Sequence, residues 1–266
     1  MSFAAALGIY AMAERFGGRR AGLAAAGLWA VWPGSGVEWA VYSDSLYVAL
    51  AVWACHAVMS RRWLTAGLLT CAAGLNRPTA VALIAAVVVA ALLALHRRED
   101  GIRRPIAAMT LAPLGLLAYL GWVGHRMGDC TGYFRLQSGA WAHEWDFGRQ
   151  TFDVLTSVPV GHSDYLFPWP FADMIGVGVV LLPLLFRIRP PAVLTVHTVL
   201  TLVLVLGSQQ IFGSASRYLL PLFPLFIPPA LALRRLGPAH LFTLLGTAVL
   251  ASGSYAGYAL FELWVP

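Results

Sequence analysis

Ten apolar runs, separated by short breaks rich in arginine, constrain this chain more than any other feature. They lie at about residues 2–14, 21–37, 45–60, 63–76, 78–95, 106–124, 172–187, 191–210, 218–233 and 238–260. Of the 266 residues, 59% are hydrophobic and only 11% are charged, where a soluble domain carries roughly 25% charged residues. A soluble fold of this size has too small an interior for that much apolar surface, so hydrocarbon is the expected solvent. The expected fold class is all-α. It is a polytopic transmembrane helical bundle of about nine to ten apolar segments, forming a single membrane domain over residues 1–266. Several runs fall short of the roughly 20 residues that a perpendicular span needs. Those runs are expected either to extend into neighbouring polar residues or to be re-entrant.

The formal net charge is +6, but the pattern excludes nucleic acid as the partner. The arginines do not line one polar face; they sit in the breaks between apolar runs, as the positive-inside rule requires. Let Arg15, Arg19 and Arg20 be cytoplasmic, with each run crossing once. Then Arg61, Arg62, Arg97, Arg98, Arg103, Arg104, Arg187, Arg189, Arg234 and Arg235 also fall inside. Only Arg77, Arg126, Arg135, Arg149 and Arg217 fall outside. The carboxylates invert this, since only Glu14, Glu99 and Asp100 lie inside. Acidic residues steer topology little, so their concentration outside points to an extracytoplasmic active face, on the plasma membrane of a bacterium. Every basic residue is arginine and none is lysine, which with so much alanine reads as the mark of a GC-rich genome.

Met1 leads straight into Phe3–Ala13 with no basic n-region and no cleavage site, unlike a signal peptide. The start reads as the second half of a transmembrane helix, and an N-terminal truncation is expected. Cys55 and Cys71 fall in apolar runs and Cys130 in a polar stretch, which supports neither a disulfide framework nor a metal site. The long polar segment at 125–173 carries Tyr133, Trp141, Trp145, Tyr165 and Trp169 with His125, His143 and His162. Aromatics mixed with glycine and proline predict an extracytoplasmic loop with short helices at the membrane interface.

Four clusters can carry chemistry. In Glu38–Ser45, Asp44 and Glu38 are the candidate catalytic carboxylates, with Tyr42 beside them for substrate. Equally, Ser43 or Asp44 serves as the N-cap of the helix that follows. In Gly74–Thr79, Arg77 stands outside against the charge bias, and Pro78 is suited to open the next helix. Arg77 either clamps a phosphate through its planar fork or snorkels to the headgroups. In Gln209–Pro221, Gln210, Arg217 and Tyr218 repeat the theme. Arg77 and Arg217 together can hold a lipid phosphate, or act as two interfacial anchors. In Gln137–Asp146, Trp141, His143 and Glu144 suit a sugar-contact surface or an interfacial belt. No second histidine follows at metal spacing, so no metal ligand set is assigned, although a divalent ion is compatible with the chemistry. His56 and His197, within apolar runs, read as packed residues.

Three of these stretches resemble a known family. Ala40-Val41-Tyr42-Ser43-Asp44-Ser45-Leu46-Tyr47 resembles the Tyr-Ser/Thr-Glu-Ser-Leu-Phe stretch of the PIG-V family of mannosyltransferases. Ala73-Gly74-Leu75-Asn76-Arg77-Pro78-Thr79-Ala80 is similar to its Thr-Arg-Pro-Thr-Gly. The stretch from Ser216-Arg217-Tyr218 through Pro221, Phe223 and Pro224 to Phe226 is similar to its late Ser-Arg-Tyr…Pro-x-Phe-Pro segment. The matches run in order from about residue 40 to 226. The resemblance implies a GT-C membrane glycosyltransferase that moves mannose, with inversion, from a polyprenyl-phosphate-linked donor to an unidentified acceptor on the extracytoplasmic face. Its partners would be that lipid-linked donor and the surrounding membrane lipids. Asp44 stands where the family has glutamate. The first extracytoplasmic loop, where GT-C enzymes usually carry a catalytic acid, is expected to be absent, with the start read as the second half of a helix. The alternatives are a transporter or lipid-handling membrane protein without covalent chemistry, or an inactive fragment of the family acting as a structural subunit.

Overall fold

The computed structural model describes residues 1–33, 35, 43–140, 144–157, 168–209 and 215–261. Helices α1 (Ser2–Gly17), α2 (Arg19–Ala30), α3 (Asp44–Met59), α4 (Trp63–Asn76), α5 (Val81–His96), α6 (Arg103–Leu111) and α7 (Leu114–Met127) make the first half. Two short helices follow, α8 (Gly132–Ala140) and α9 (Arg149–Ser157). Then come α10 (Pro168–Arg187), α11 (Ala192–Leu206), α12 (Ala215–Tyr218), α13 (Ile227–Leu233) and α14 (Pro238–Phe261). The described residues hold no strand, only one isolated antiparallel bridge between Trp145 and Ser208. The expected all-α class is therefore observed.

Helix covers part of each of the ten apolar runs, but two stretches among the described residues are long and apolar enough to cross a membrane. They are Pro78–His96 and Arg103–Met127, the latter being α6 and α7 joined at Pro113. Several of the others, α3 and α11 among them, are shorter apolar helices, and local backbone closures set some of the helix ends. After α3 and after α5, the chain closes on itself with two paired backbone bonds. Arg61 N–H bonds the Val58 carbonyl and Arg62 N–H that of Ala57; Arg98 N–H bonds Leu95 and Glu99 N–H bonds Ala94. Both are Schellman closures, which put the residue after the cap in the left-handed region. Arginine fills that position at Arg61 (φ 56°) and Arg98 (φ 52°), where glycine is the usual occupant.

The run at 218–233 departs from the single helix expected of it. Pro221 and Pro224 lack an N–H, so the carbonyls of Arg217 and Leu220 lose their helical donors. The chain answers with a tight 3₁₀ turn at Phe223–Phe226 before α13 begins. Leu220 N–H takes up the Arg217 carbonyl at 3.2 Å, and side chains of other elements reach the carbonyls that follow. The buried Trp29 indole donates to the Leu220 carbonyl at 3.2 Å, and His197 Nε2 to that of Pro221 at 3.0 Å. These two bonds pin the stretch that follows Arg217 against α2 and α11.

Small residues let the helices approach closely. A side chain on Gly115 would collide with the Cys71 carbonyl of α4, and one on Gly74 would meet the Leu116 backbone at 2.6 Å. The core runs between α1, α2, α3, α5, α11 and α13, around Ile9, Trp29, Tyr47, Leu83, Leu194 and Phe223.

Polar groups gather at two opposite ends of α3. Ser2 meets Ser45, and Asn76 donates to the Ser43 carbonyl at 3.1 Å. At the far end Arg15 meets Ser60, Arg61 meets Glu99 and Asp100, and Trp63 donates to Asp100 at 2.8 Å. The 16 residues of α3 separate these ends by about 24 Å at 1.5 Å per residue.

Candidate functional site

Three motif residues that lie far apart in the sequence meet at the first residue of α3. Asp44 is 1% exposed, and both of its carboxylate oxygens face guanidinium groups. Oδ1 pairs with Arg77 Nη1. Oδ2 lies 3.2 Å from Arg217 Nε, an ion pair without hydrogen-bond alignment. The two arginine side chains are 12% and 14% exposed. Each places its guanidinium carbon 5.7 Å from the centre of the Tyr218 ring, a cation–π arrangement shared by two cations.

Local sequence explains each placement. Pro78 opens the 3₁₀ turn before α5, as expected of it, and forces Arg77 into extended backbone at φ −150°. That kink swings the Arg77 side chain out of the α4 line and toward α3. Asn76 fastens the same corner through the Ser43 carbonyl. Arg217 and Tyr218 close the four-residue α12, just before Pro221 ends the helical path. Asp44 sits at the N-terminus of α3, where the helix dipole favours a negative charge.

Neither helix capping by Asp44 nor snorkelling by Arg77 is observed. Asp44 is not a cap: the cap position is Ser43, and no side-chain cap bond forms at α3. Arg77 does not snorkel outward, since its charge is held inward on a buried carboxylate. Among the described residues two guanidinium groups meet at one carboxylate beside a polarisable ring, and guanidinium groups suit an anion with several oxygens.

Tyr133 on α8, expected only as an interfacial aromatic, also lies near the cluster. Its phenol is raised above its ordinary range, chiefly by burial, and it lies within electrostatic reach of Tyr218 and Arg77. Gln137 donates to its hydroxyl at 2.8 Å. The signal was the spacing of Tyr133 and Gln137, one helical turn apart in a polar segment.

Glu144 is exposed; its backbone carbonyl accepts from Gln209 N–H at 2.9 Å, beside the Trp145–Ser208 bridge. Its described contacts are thus with the end of α11, not with the Asp44 cluster. Glu38, Tyr42, Trp141, His143 and Gln210 lie outside the described residues. Among the described residues no group of three His, Cys, Asp or Glu is placed to hold a metal ion.

Comparison with protein-family models, with curated proteins and with solved structures gives no match for this chain.

Proposed function

We propose that this chain is a polytopic membrane glycosyltransferase that takes a hexose, mannose by its PIG-V-like motifs, from a polyprenyl-phosphate donor. One observation carries the reading: Asp44, Arg77 and Arg217, drawn from the three motifs that resemble that family, share one buried charged cluster. Support for a membrane setting comes from the large apolar side chains left exposed on helices, such as Leu64, Leu68, Leu117, Trp122, Phe242 and Leu250. Surfaces of that kind suit lipid rather than water. The remaining apolar runs would complete the bundle by pairing short helices with flanking polar residues. The arginine-rich end would then face the cytoplasm and the Asp44 end the extracytoplasmic side.

In this reaction an acceptor hydroxyl oxygen attacks the anomeric carbon from the face opposite the phosphate. The bond from that carbon to the phosphate oxygen breaks, and its electron pair leaves with the polyprenyl phosphate. The configuration inverts, and the hydroxyl proton passes to a carboxylate base. A phosphate leaves as an anion without a protonated acid, so one base is sufficient, unlike the pair of carboxylates in glycoside hydrolysis. Arg77 and Arg217 neutralise the charge that builds on the departing phosphate, more effectively because they are shielded from water. Asp44, with both oxygens turned to guanidinium groups, holds the two arginines in place. Glu38 is then the carboxylate assigned to take the proton.

The test is transfer by the purified chain in nanodiscs, with a labelled polyprenyl-phosphate mannose donor and a mixed acceptor pool. The expected result is release of polyprenyl phosphate, and a loss of about 100-fold or more in Arg217→Ala with membrane insertion intact. Wild-type turnover in Arg217→Ala would remove the phosphate clamp from the account.

A further inference from the structure

The arginine-rich end encloses a cavity that sugar transfer does not use. Its volume is about 550 Å³, and it is lined from α1, α3, α5 and the start of α11. Arg15, Arg61 and Arg97 stand at it together with the aliphatic side chains of Val58, Leu93 and Val193.

The three guanidinium groups are not equally committed. Arg61 is held by Glu99 and Asp100, at 2.7 and 3.0 Å. Arg97 stands 3.7 Å from Glu99 with its side chain 65% exposed. Arg15 donates to the Ser60 hydroxyl at 3.1 Å and the Met59 carbonyl at 3.5 Å. Among the described residues no carboxylate comes within ion-pair distance of Arg15. A guanidinium carries five N–H donors, so Arg15 and Arg97 keep donors for a further acceptor. The two acids at the cavity do not cancel this. Three guanidinium groups face two carboxylates there, which leaves one positive charge, and the Trp63 indole also donates to Asp100. Arg103 and Arg104 line a second cavity that shares Arg61 and Asp100, which keeps the whole face positive.

A cavity with guanidinium groups at its mouth and aliphatic walls suits an amphiphile. Free phosphate would satisfy the arginines and leave the walls bare; an acyl chain would fill them. We infer that this cavity binds the phosphate headgroup of an anionic membrane lipid, with its acyl chain along α5 and α11. Basic pockets between helices on the cytoplasmic side bind acidic headgroups on the same physical grounds. The inference rests on the membrane reading above but not on the transfer reaction.

The experiment is thermal unfolding of the purified full chain in uncharged detergent. The added probe is dioctanoyl phosphatidylglycerol, dioctanoyl phosphatidylcholine or inorganic phosphate. Phosphatidylglycerol is expected to raise Tm saturably, and neither other probe to match it at the same concentration. The Arg15→Gln/Arg97→Gln pair is expected to weaken the phosphatidylglycerol response about 10-fold or more. Raising salt from about 50 to about 500 mM should weaken it several-fold in the wild-type chain, a reading that needs no variant. An equal response to phosphatidylcholine, an unchanged response in the glutamine pair, or no salt dependence would overturn the inference. A full response to inorganic phosphate would assign the site to free phosphate and overturn the lipid. No sugar donor is present, so the outcome is independent of whether the chain is a transferase.

Discussion

At one end of α3, Arg61 meets Glu99 and Asp100 with half of its side chain in the open; at the other, Asp44 meets Arg77 and Arg217 at 1% exposure. The chemical groups are the same, and burial separates them. Water and salt screen the open cluster, so its pairs contribute little and tolerate loss. The buried cluster has no such relief. Its three charges were taken from water together, and removing one leaves another uncompensated. The open end suits orientation and headgroup contact; the closed end suits the handling of charge during a reaction.

Four substitutions sharpen or break that contrast. Asp44→Ala removes the buried carboxylate that Arg77 and Arg217 share and should lower unfolding stability by about 3–5 kcal/mol, measured by thermal or chemical unfolding in detergent. A loss below about 1 kcal/mol would make the two ends alike. Trp29→Phe leaves the Leu220 carbonyl without a donor and should cost about 1–3 kcal/mol. It should also weaken transfer by loosening the stretch that carries Arg217; unchanged stability would mean this stretch is held elsewhere. Arg61→Gln should cost about 0–1 kcal/mol, shrinking further in high salt. A cost like that of Asp44→Ala would show the open cluster to be structural. The smallest effect is expected of Arg98→Gly, a gain of a few tenths to about 1 kcal/mol, because glycine suits the left-handed position. A loss there would show that the Arg98 guanidinium is needed in the fold.

Much of the site was legible because its charges are out of place. Asp44, Arg77 and Arg217 border apolar runs where charges are costly, and Pro78 and Pro221 mark where the chain must turn. Their mutual pairing was not legible. It depends on the α3–α4 corner, fixed by Asn76 on Ser43, and on the return of α12 to that corner, which no local pattern encodes. For the same reason the capping reading of Asp44 was reasonable and wrong: a short carboxylate at a helix start satisfies both patterns, and only a tertiary partner chooses between them. The all-α class followed from composition and the apolar runs; the number of crossings did not, since two stretches among the described residues are long and apolar enough to cross a membrane. The interruption of the run at 218–233 was written in its prolines, but the side chains that bond its carbonyls, Trp29 to Leu220 and His197 to Pro221, lay on distant helices. The place of Tyr133 near the cluster was not legible because an aromatic in an interfacial segment has many ordinary uses.

The central claim is that Asp44, Arg77 and Arg217 act as one electrostatic unit, and a double-mutant cycle tests it most directly. Unfolding stability would be measured for the wild-type chain, Asp44→Asn, Arg217→Gln and the double variant under one set of conditions. The account predicts a coupling above about 1 kcal/mol, with the double variant less damaged than the sum of the two single ones. Additivity within about 0.5 kcal/mol would contradict it, and the shared site would dissolve into separate residues.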